Sequence, residues 1–283
     1  MVDISRHIEL LGPSGRTLSI SERSGLQVSM MQCEREEKLE GKMLFWGKLE
    51  GNESDYLVCY ALVRPRLEDG EFPLKKFYFC MSTDTSLRQM PVLSPEYEEK
   101  AKAANGRLRG DPSLPLDEEP EGDVDAEADE DGEDPRPPQR FLEMHRLAYM
   151  VKTIDRAVAV VPKGALLVEA SRKIRLFRNF EGLTSEAARD MRNYFHFREP
   201  ESIQAIAALT RKGLVRDADF LDPISADKPE RCWTLTQDPS ESVAILRSLA
   251  WPGYFFFHEA ETGDYGGAYF GTGLPNTDLA FML

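Results

Sequence analysis

The chain has 283 residues, with 35 lysines and arginines against 49 aspartates and glutamates, and a formal net charge of −14. Charges at Asp3, Arg6 and Glu9 interrupt its first residues, and no apolar run approaches the roughly 20 residues of a spanning helix, so we expect neither a signal peptide nor a membrane segment. The four cysteines are widely spaced and form no CxxC pair, which predicts reduced thiols in a cytoplasmic protein.

The negative charge is concentrated in one stretch. Residues 117 to 134, called here the acidic run, hold 12 acidic side chains and no basic one. Residues 110–139 combine this run with six prolines and contain no aromatic residue. Such a composition buries too little apolar surface to offset the entropy of ordering the chain, which predicts a disordered acidic linker. It separates a first block, 1–109, from a second block, 140–283, and both blocks are predicted to be parts of the same core.

In the first block, helical signals come before strand signals. Ser19 and Glu22 have the spacing of a capping box, and an apolar face at Leu26, Met30 and Cys33 predicts a helix reaching about residue 38. Three runs rich in β-branched and aromatic residues then predict an antiparallel meander, and Ser94-Pro95 predicts the start of a short helix. The three runs are Met43–Leu49, Tyr56–Val63 and Leu74–Met81.

In the second block, we expect a helix over about 139–155 and a strand pair, 157–161 with 165–169, joined by the turn Pro162-Lys163-Gly164. Thr184 is predicted to cap a helix whose buried face includes Phe195. From Trp233 onward the pattern is typical of strands. Helices and strands come in runs, which favours an α+β fold: an antiparallel sheet or partly closed barrel with packed helices and a long disordered acidic insertion.

Catalytic and metal-binding patterns are weak. The acidic run fails as a calcium loop, because with Gly132 at the sixth position the required twelfth-position glutamate is Pro138. The four histidines lack metal-ligand spacing, and no G-x-S-x-G elbow is present. His196, directly after a predicted helix, is interpreted as bonding a helix C-terminal carbonyl rather than as a catalytic group. We therefore predict no catalytic, metal or cofactor site.

The C-terminal residues 251–283 contain 9 of the 27 aromatic residues. Aromatic side chains followed by Glu259 and Glu261 leave open a small-molecule or glycan hydrolase, although two residues is an unusual spacing for a carboxylate pair. No lysine or arginine follows Arg247, which argues against nucleic-acid binding. A packed β core is the favoured interpretation.

A basic segment lies in the middle of the chain. Arg172, Lys173, Arg175 and Arg178 alternate with apolar residues and predict a strand with one basic face. That face could meet an acidic partner, the acidic C-terminal block or water. The residues alone thus support a protein-interaction module without a catalytic site.

Several peptides resemble the radial spoke head protein 9 family in order and spacing over nearly the whole chain. In the first block they are Leu44–Gly47, Asp55-Tyr56 and Gly110–Ser113; in the second they are Ile154–Leu166, Phe180–Leu183, Tyr194–Pro200, Leu246–Leu249, Trp251–Gly253, Tyr265-Gly266, Gly271–Gly273 and Asp278–Leu283. The acidic run departs from what this resemblance leads us to expect.

The resemblance implies a non-enzymatic structural subunit of the radial spoke head, in the axoneme of motile cilia and flagella. It implies a cytoplasmic, cytoskeletal location, other spoke head proteins of types 4, 6 and 1 as partners, transient contact with central-pair projections, and no cofactor, nucleic acid or membrane. Members relay mechanical signals between the central pair and the dynein-driven doublets.

Two hypotheses follow for the surfaces. Aromatic anchors dominate protein interfaces, so the C-terminal block is the expected docking surface. The acidic run is expected to act as a repulsive brush where the head meets the central pair. The candidate interaction residues are Trp251, Pro252, Tyr254, Phe256, Tyr265, Tyr269, Phe281 and Leu283.

Overall fold

The computed structural model describes residues 2–39, 41–63, 72–117, 140–169, 173–209, 220–240 and 242–282. The greater part of the acidic run, 118–134, and the rest of the predicted linker to residue 139 lie outside these residues. The helices are α1 (Ile4–His7), α2 (Ile20–Glu36), α3 (Pro95–Ala103), α4 (Glu143–Val158), α5 (Ile203–Leu209) and α6 (Leu279–Met282), with 3₁₀ helices at Glu9–Ser14, Ala187–Arg189, Met191–Asn193 and Ile224–Ala226.

Eight strands form one open sheet in the order β4-β3-β2-β1-β12-β11-β10-β9, and every neighbouring pair is antiparallel except β1 with β12. Two small two-stranded sheets pair β5 with β8 and β6 with β7. The α+β prediction is therefore confirmed. The strands are β1 (Leu44–Leu49), β2 (Tyr56–Val63), β3 (Leu74–Met81), β4 (Arg88–Gln89), β5 (Val160–Pro162), β6 (Leu166–Val168), β7 (Ile174–Leu176), β8 (Tyr194–His196), β9 (Trp233–Gln237), β10 (Val243–Ser248), β11 (Tyr254–Glu259) and β12 (Tyr265–Gly271).

The large sheet is buried on both faces. One face packs with the N-terminal segment and α2, whose residues Leu26 and Met30 are buried there. The other packs with α4 and the small sheets through residues such as Val151 and Ile154. This two-sided burial explains the nearly continuous apolar runs of β2 and β11, since both faces of these strands need apolar side chains.

The two predicted helix starts of the first block are confirmed. The Ser19 side chain accepts a hydrogen bond from the Glu22 backbone at 3.2 Å, and the Glu22 carboxylate accepts one from the Ser19 backbone at 2.8 Å. Ser94 caps α3 by accepting from Tyr97, with Pro95 at the first helical position. The meander β1-β2-β3 is also confirmed.

The predicted hairpin between β5 and β6 is wrong. The turn itself forms, because the Ala165 backbone donates to the Pro162 carbonyl at 3.2 Å. However, Gly164, its third residue, has φ +83°. Positive φ at that place makes a type II turn, whose twist splays the flanking strands instead of pairing them. The strands accordingly find other partners, β8 and β7.

The helix predicted after Thr184 is also wrong. Thr184 does accept a hydrogen bond from the Ala187 backbone at 3.2 Å, but the backbone becomes extended at Asp190, with φ −101° and ψ 115°. The Asp190 carboxylate then accepts from the Arg192 backbone at 3.0 Å. Short polar side chains compete in this way with helical hydrogen bonds, and Phe195 lies in strand β8 instead.

Residues 110–117 of the predicted linker belong to the described fold. The Leu116 backbone donates to the Phe141 carbonyl at 2.9 Å, and the Asp117 carboxylate accepts from the Phe141 backbone at 2.9 Å. This pairing holds the chain extended up to Leu142, so α4 begins at Glu143 and not near residue 139.

Candidate interaction surface

The turn between β10 and β11 presents two of the candidate residues, Trp251 and Pro252. Gly253 has φ +105°, and a Cβ there would lie 2.1 Å from the Phe270 carbonyl oxygen, so only glycine fits. The Trp251 backbone donates to the Ser248 hydroxyl at 3.2 Å. The turn is therefore held in one shape by the sheet itself, with Pro252 exposed and Trp251 half-buried.

The C-terminal segment is tied to the same turn by Asn276. Its backbone donates to the Ala250 carbonyl at 2.8 Å, and its side-chain amide donates to the Leu249 carbonyl at 3.1 Å. These two bonds fix the chain just before α6.

Helix α6 buries one residue and exposes others. Leu279 is 4% exposed in the core, whereas Phe281 is 90% and Met282 70% exposed. A groove of about 490 Å³ runs beside Met282 and Pro252. We call Trp251, Pro252, Phe281 and Met282 the end-of-sheet surface; it offers large apolar side chains on an anchored backbone, as a docking site requires.

Four candidate interaction residues lie in the core instead. Tyr254, Phe256, Tyr265 and Tyr269 are at most 8% exposed. Burial raises the pKa of the Tyr269 hydroxyl to about 12, and this oxygen accepts a hydrogen bond from a backbone N–H at 2.9 Å. These rings pack the sheet against α4 and the small sheets, and a partner cannot reach them in the folded chain. Leu283 lies outside the described residues.

The two glutamates of the hydrolase alternative follow aromatic rings that are buried. Glu259 ends β11, and Glu261 is exposed in the following turn with φ 61°. The rings before them, Phe255 to Phe257, are at most 2% exposed, so they cannot stack on a sugar. The geometry gives this alternative no support.

A polar cluster that the sequence did not predict lies beside Trp251. His196 is in β8 and not at a helix end; its Nε2 lies 2.8 Å from the Asp227 carboxylate, which also accepts from the Trp233 indole at 2.8 Å. These residues and Cys232 line a cavity of about 240 Å³. Burial raises the pKa of the Cys232 thiol to about 11, so the cluster holds no activated thiolate. Asp227 follows His196 by 31 residues, and no sequence motif with this spacing could have predicted the pair.

The predicted basic strand exists as β7, although Arg172 lies outside the described residues. Arg175 forms an ion pair with Glu169 at 2.7 Å. Within the described part of the chain, Lys173 and Arg178 have no acidic partner, and they line a groove of about 470 Å³ with apolar residues such as Leu62.

Across the described ranges, no group of three or more histidine, cysteine, aspartate or glutamate side chains is arranged to hold a metal ion. No helix in the described part of the chain is both long and apolar enough to span a bilayer.

Comparison with known proteins identifies the family. The chain is 36% identical to the radial spoke head protein 9 homolog of Danio rerio over 276 residues, which is 98% of this chain and 97% of that protein. It is 34% identical to the homologs of Homo sapiens and Bos taurus over 279 residues, with the same coverage. The chain belongs to the radial spoke head protein 9 family. No family model matches it.

Peptides that carry the family resemblance meet in the core. In this member of the radial spoke head protein 9 family, the Trp46 indole donates to the Asp155 carboxylate at 3.1 Å, and Lys75 donates to the same carboxylate at 2.6 Å. Next to it, a Cβ on Gly47 would lie 2.3 Å from the Tyr269 carbonyl oxygen, so glycine allows β1 to approach β12. The resemblance therefore includes residues that build the sheet as well as the end-of-sheet surface, whose residues lie in the peptides Trp251–Gly253 and Asp278–Leu283.

Proposed function

We propose that this protein is a non-enzymatic structural subunit of the radial spoke head, in the axoneme of motile cilia and flagella. In this role it supports spoke head assembly and the mechanical signalling between the central pair and the dynein-driven doublets. It is made in the cytoplasm and works as part of the ciliary cytoskeleton. The names of its relatives support the spoke head assignment.

The proposed docking site is the end-of-sheet surface. The observation that carries it is Phe281, an aromatic side chain 90% exposed on a segment that Leu279 and Asn276 anchor to the sheet. Exposing such a ring to water is unfavourable unless a partner covers it, and the anchored backbone loses little entropy on binding. The expected partners are other spoke head proteins, of types 4, 6 and 1, with transient contact to central-pair projections.

The test replaces Phe281 by aspartate. Co-purification of the full chain with spoke head proteins of types 4 and 6 is expected to fall at least tenfold, since a charge cannot enter an apolar interface without a large desolvation cost. The matched control is Ile20→Asp, because Ile20 is equally exposed, at 90%, but begins α2 at another part of the surface.

Both variants are expected to keep the unfolding midpoint of the wild type. Undiminished co-purification of a folded Phe281→Asp protein would contradict the docking proposal, and so would an equal loss in the Ile20→Asp control.

A further inference from the structure

Strand β9 forms one edge of the large sheet. Two hydrogen bonds beyond its ends set the pairing pattern with β10: the Asp238 backbone donates to the Val243 carbonyl at 3.1 Å, and the Leu249 backbone donates to the Cys232 carbonyl at 2.8 Å. In antiparallel pairs, residues that exchange hydrogen bonds alternate with residues that do not. The pattern therefore runs through the strand from residue 232 to residue 238 in steps of two.

This alternation decides which backbone groups of β9 are free. Thr234 and Thr236 bond β10, so the N–H and C=O groups of Trp233, Leu235 and Gln237 point away from the sheet. Among the described residues, none of these outward groups has a hydrogen-bond partner. The edge thus offers three residues in register for another strand.

The two edges of the sheet differ in protection. The opposite edge, β4, is only two residues long, includes Arg88 and is followed by Pro91. Short length, charge and proline are the usual means by which proteins block edge pairing. Strand β9 has five residues, Trp-Thr-Leu-Thr-Gln, with neither charge nor proline. It lacks these protections.

We propose that β9 pairs antiparallel with β9 of a second copy of this chain, about a two-fold axis at Leu235. In this register Leu235 faces Leu235 of the second copy, Trp233 faces Gln237, and Thr234 faces Thr236. The two-fold axis repeats each of the Trp233–Gln237 and Thr234–Thr236 contacts, as in closed homodimers. No two residues of like charge face each other in the paired strands.

The size of the contact predicts a weak, reversible dimer. The outward residues can form up to about six backbone hydrogen bonds, but a five-residue strand pair buries less than the roughly 1,000 Å² of a stable interface. The pairing does not use the end-of-sheet surface and does not depend on the proposed spoke head function.

The test uses the full chain in sedimentation measurements over about 1–500 μM. The wild type is expected to move from the mass of one chain toward that of two. Thr234→Glu with Thr236→Glu sets carboxylates against each other across the axis, and is expected to raise the dimer dissociation constant at least tenfold. Thr234→Glu with Thr236→Lys sets opposite charges there and is expected to restore the wild-type constant or tighten it.

The two double variants differ only in the residue at position 236. Thr234 is half-buried and Thr236 exposed, and Glu at position 234 lies opposite Arg247 of the same chain in both variants, so both are expected to stay folded. A wild type that is monomeric at every concentration overturns the proposal. Equal association of the two variants does so as well, because the proposed register predicts repulsion across the axis in the first and attraction in the second.

Discussion

At the scale of single residues, His258 shows most clearly how burial changes the protonation of a side chain. It has no exposed surface in β11, and its Nε2 accepts a hydrogen bond from the Leu183 backbone at 3.0 Å. Burial lowers the pKa of this imidazole to about 4, so the fold holds it neutral. The unfolded chain, with a pKa near 6.5, takes up the proton first as the pH falls.

This difference predicts a pH dependence of stability. The stabilising effect of neutral His258 is complete above about pH 6.5 and is lost as the pH falls toward 4, by roughly 2 kcal/mol at pH 5. In His258→Gln, an uncharged residue that can still accept the Leu183 bond, the drop in unfolding free energy between pH 7 and pH 5 is expected to shrink by that amount. Urea unfolding of both proteins at the two pH values measures it. An unchanged pH dependence in the variant would disagree with this prediction.

At the scale of elements, the sequence predicted the helices and strands that have a local sequence pattern, such as a helix cap or an apolar run. The capping box and apolar period of α2, the Ser94-Pro95 start of α3 and the apolar runs of the large sheet were predicted correctly. The β5–β6 hairpin was not, because the pattern located the turn at Gly164 but not its type. The predicted helix after Thr184 does not continue, because the Asp190 and Asn193 side chains bond nearby backbone groups, and the apolar period gave no sign of this competition.

The same limit applied to the candidate site. Trp251, Pro252 and Phe281 were predicted from aromatic content and lie at the surface, but composition alone could not separate them from Tyr254 or Tyr269, which face the core. The alternation of apolar and polar residues along a strand cannot show which side chains are exposed when both faces of the sheet are buried.

Glu143 shows how one side chain joins several elements. It is 1% exposed at the start of α4, and its carboxylate accepts hydrogen bonds from the Tyr56 hydroxyl at 2.7 Å and from the backbones of Arg109 and Gly110 at 2.8 and 2.7 Å. It thereby connects β2, α4 and the segment between α3 and the acidic run. Tyr56 and Glu143 are 87 positions apart in sequence, so no local sequence pattern predicts their hydrogen bond.

Removing this carboxylate leaves three donors unpaired, of which the Tyr56 hydroxyl and the Gly110 N–H are buried. Glu143→Ala is expected to lower the free energy of unfolding by about 3–5 kcal/mol, and Glu143→Gln by less, since an amide oxygen can still accept. The control is Glu99→Ala, which changes an exposed residue of α3 and is expected to alter stability by at most about 0.5 kcal/mol. Chemical denaturation compares the three, and similar losses in the alanine variants would refute the role of Glu143.

At the scale of the whole molecule, strands from both sides of the acidic run form one sheet. The join is the parallel pair of β1 and β12, with Gly47 opposite Tyr269. The sequence indicated that the two blocks share a core. It did not indicate which strands pair, because the paired residues are more than 200 positions apart. Because this join is internal, the end-of-sheet surface and the β9 edge remain available for assembly.

We propose above all that this protein is a stoichiometric component of the radial spoke head. The most direct test is quantitative mass spectrometry of spoke heads purified from isolated axonemes. We expect this protein in a fixed ratio to the spoke head proteins of types 4 and 6, retained through salt washes that release loosely bound proteins. Its absence from purified heads, or a ratio that varies between preparations while the other two stay constant, would contradict the account.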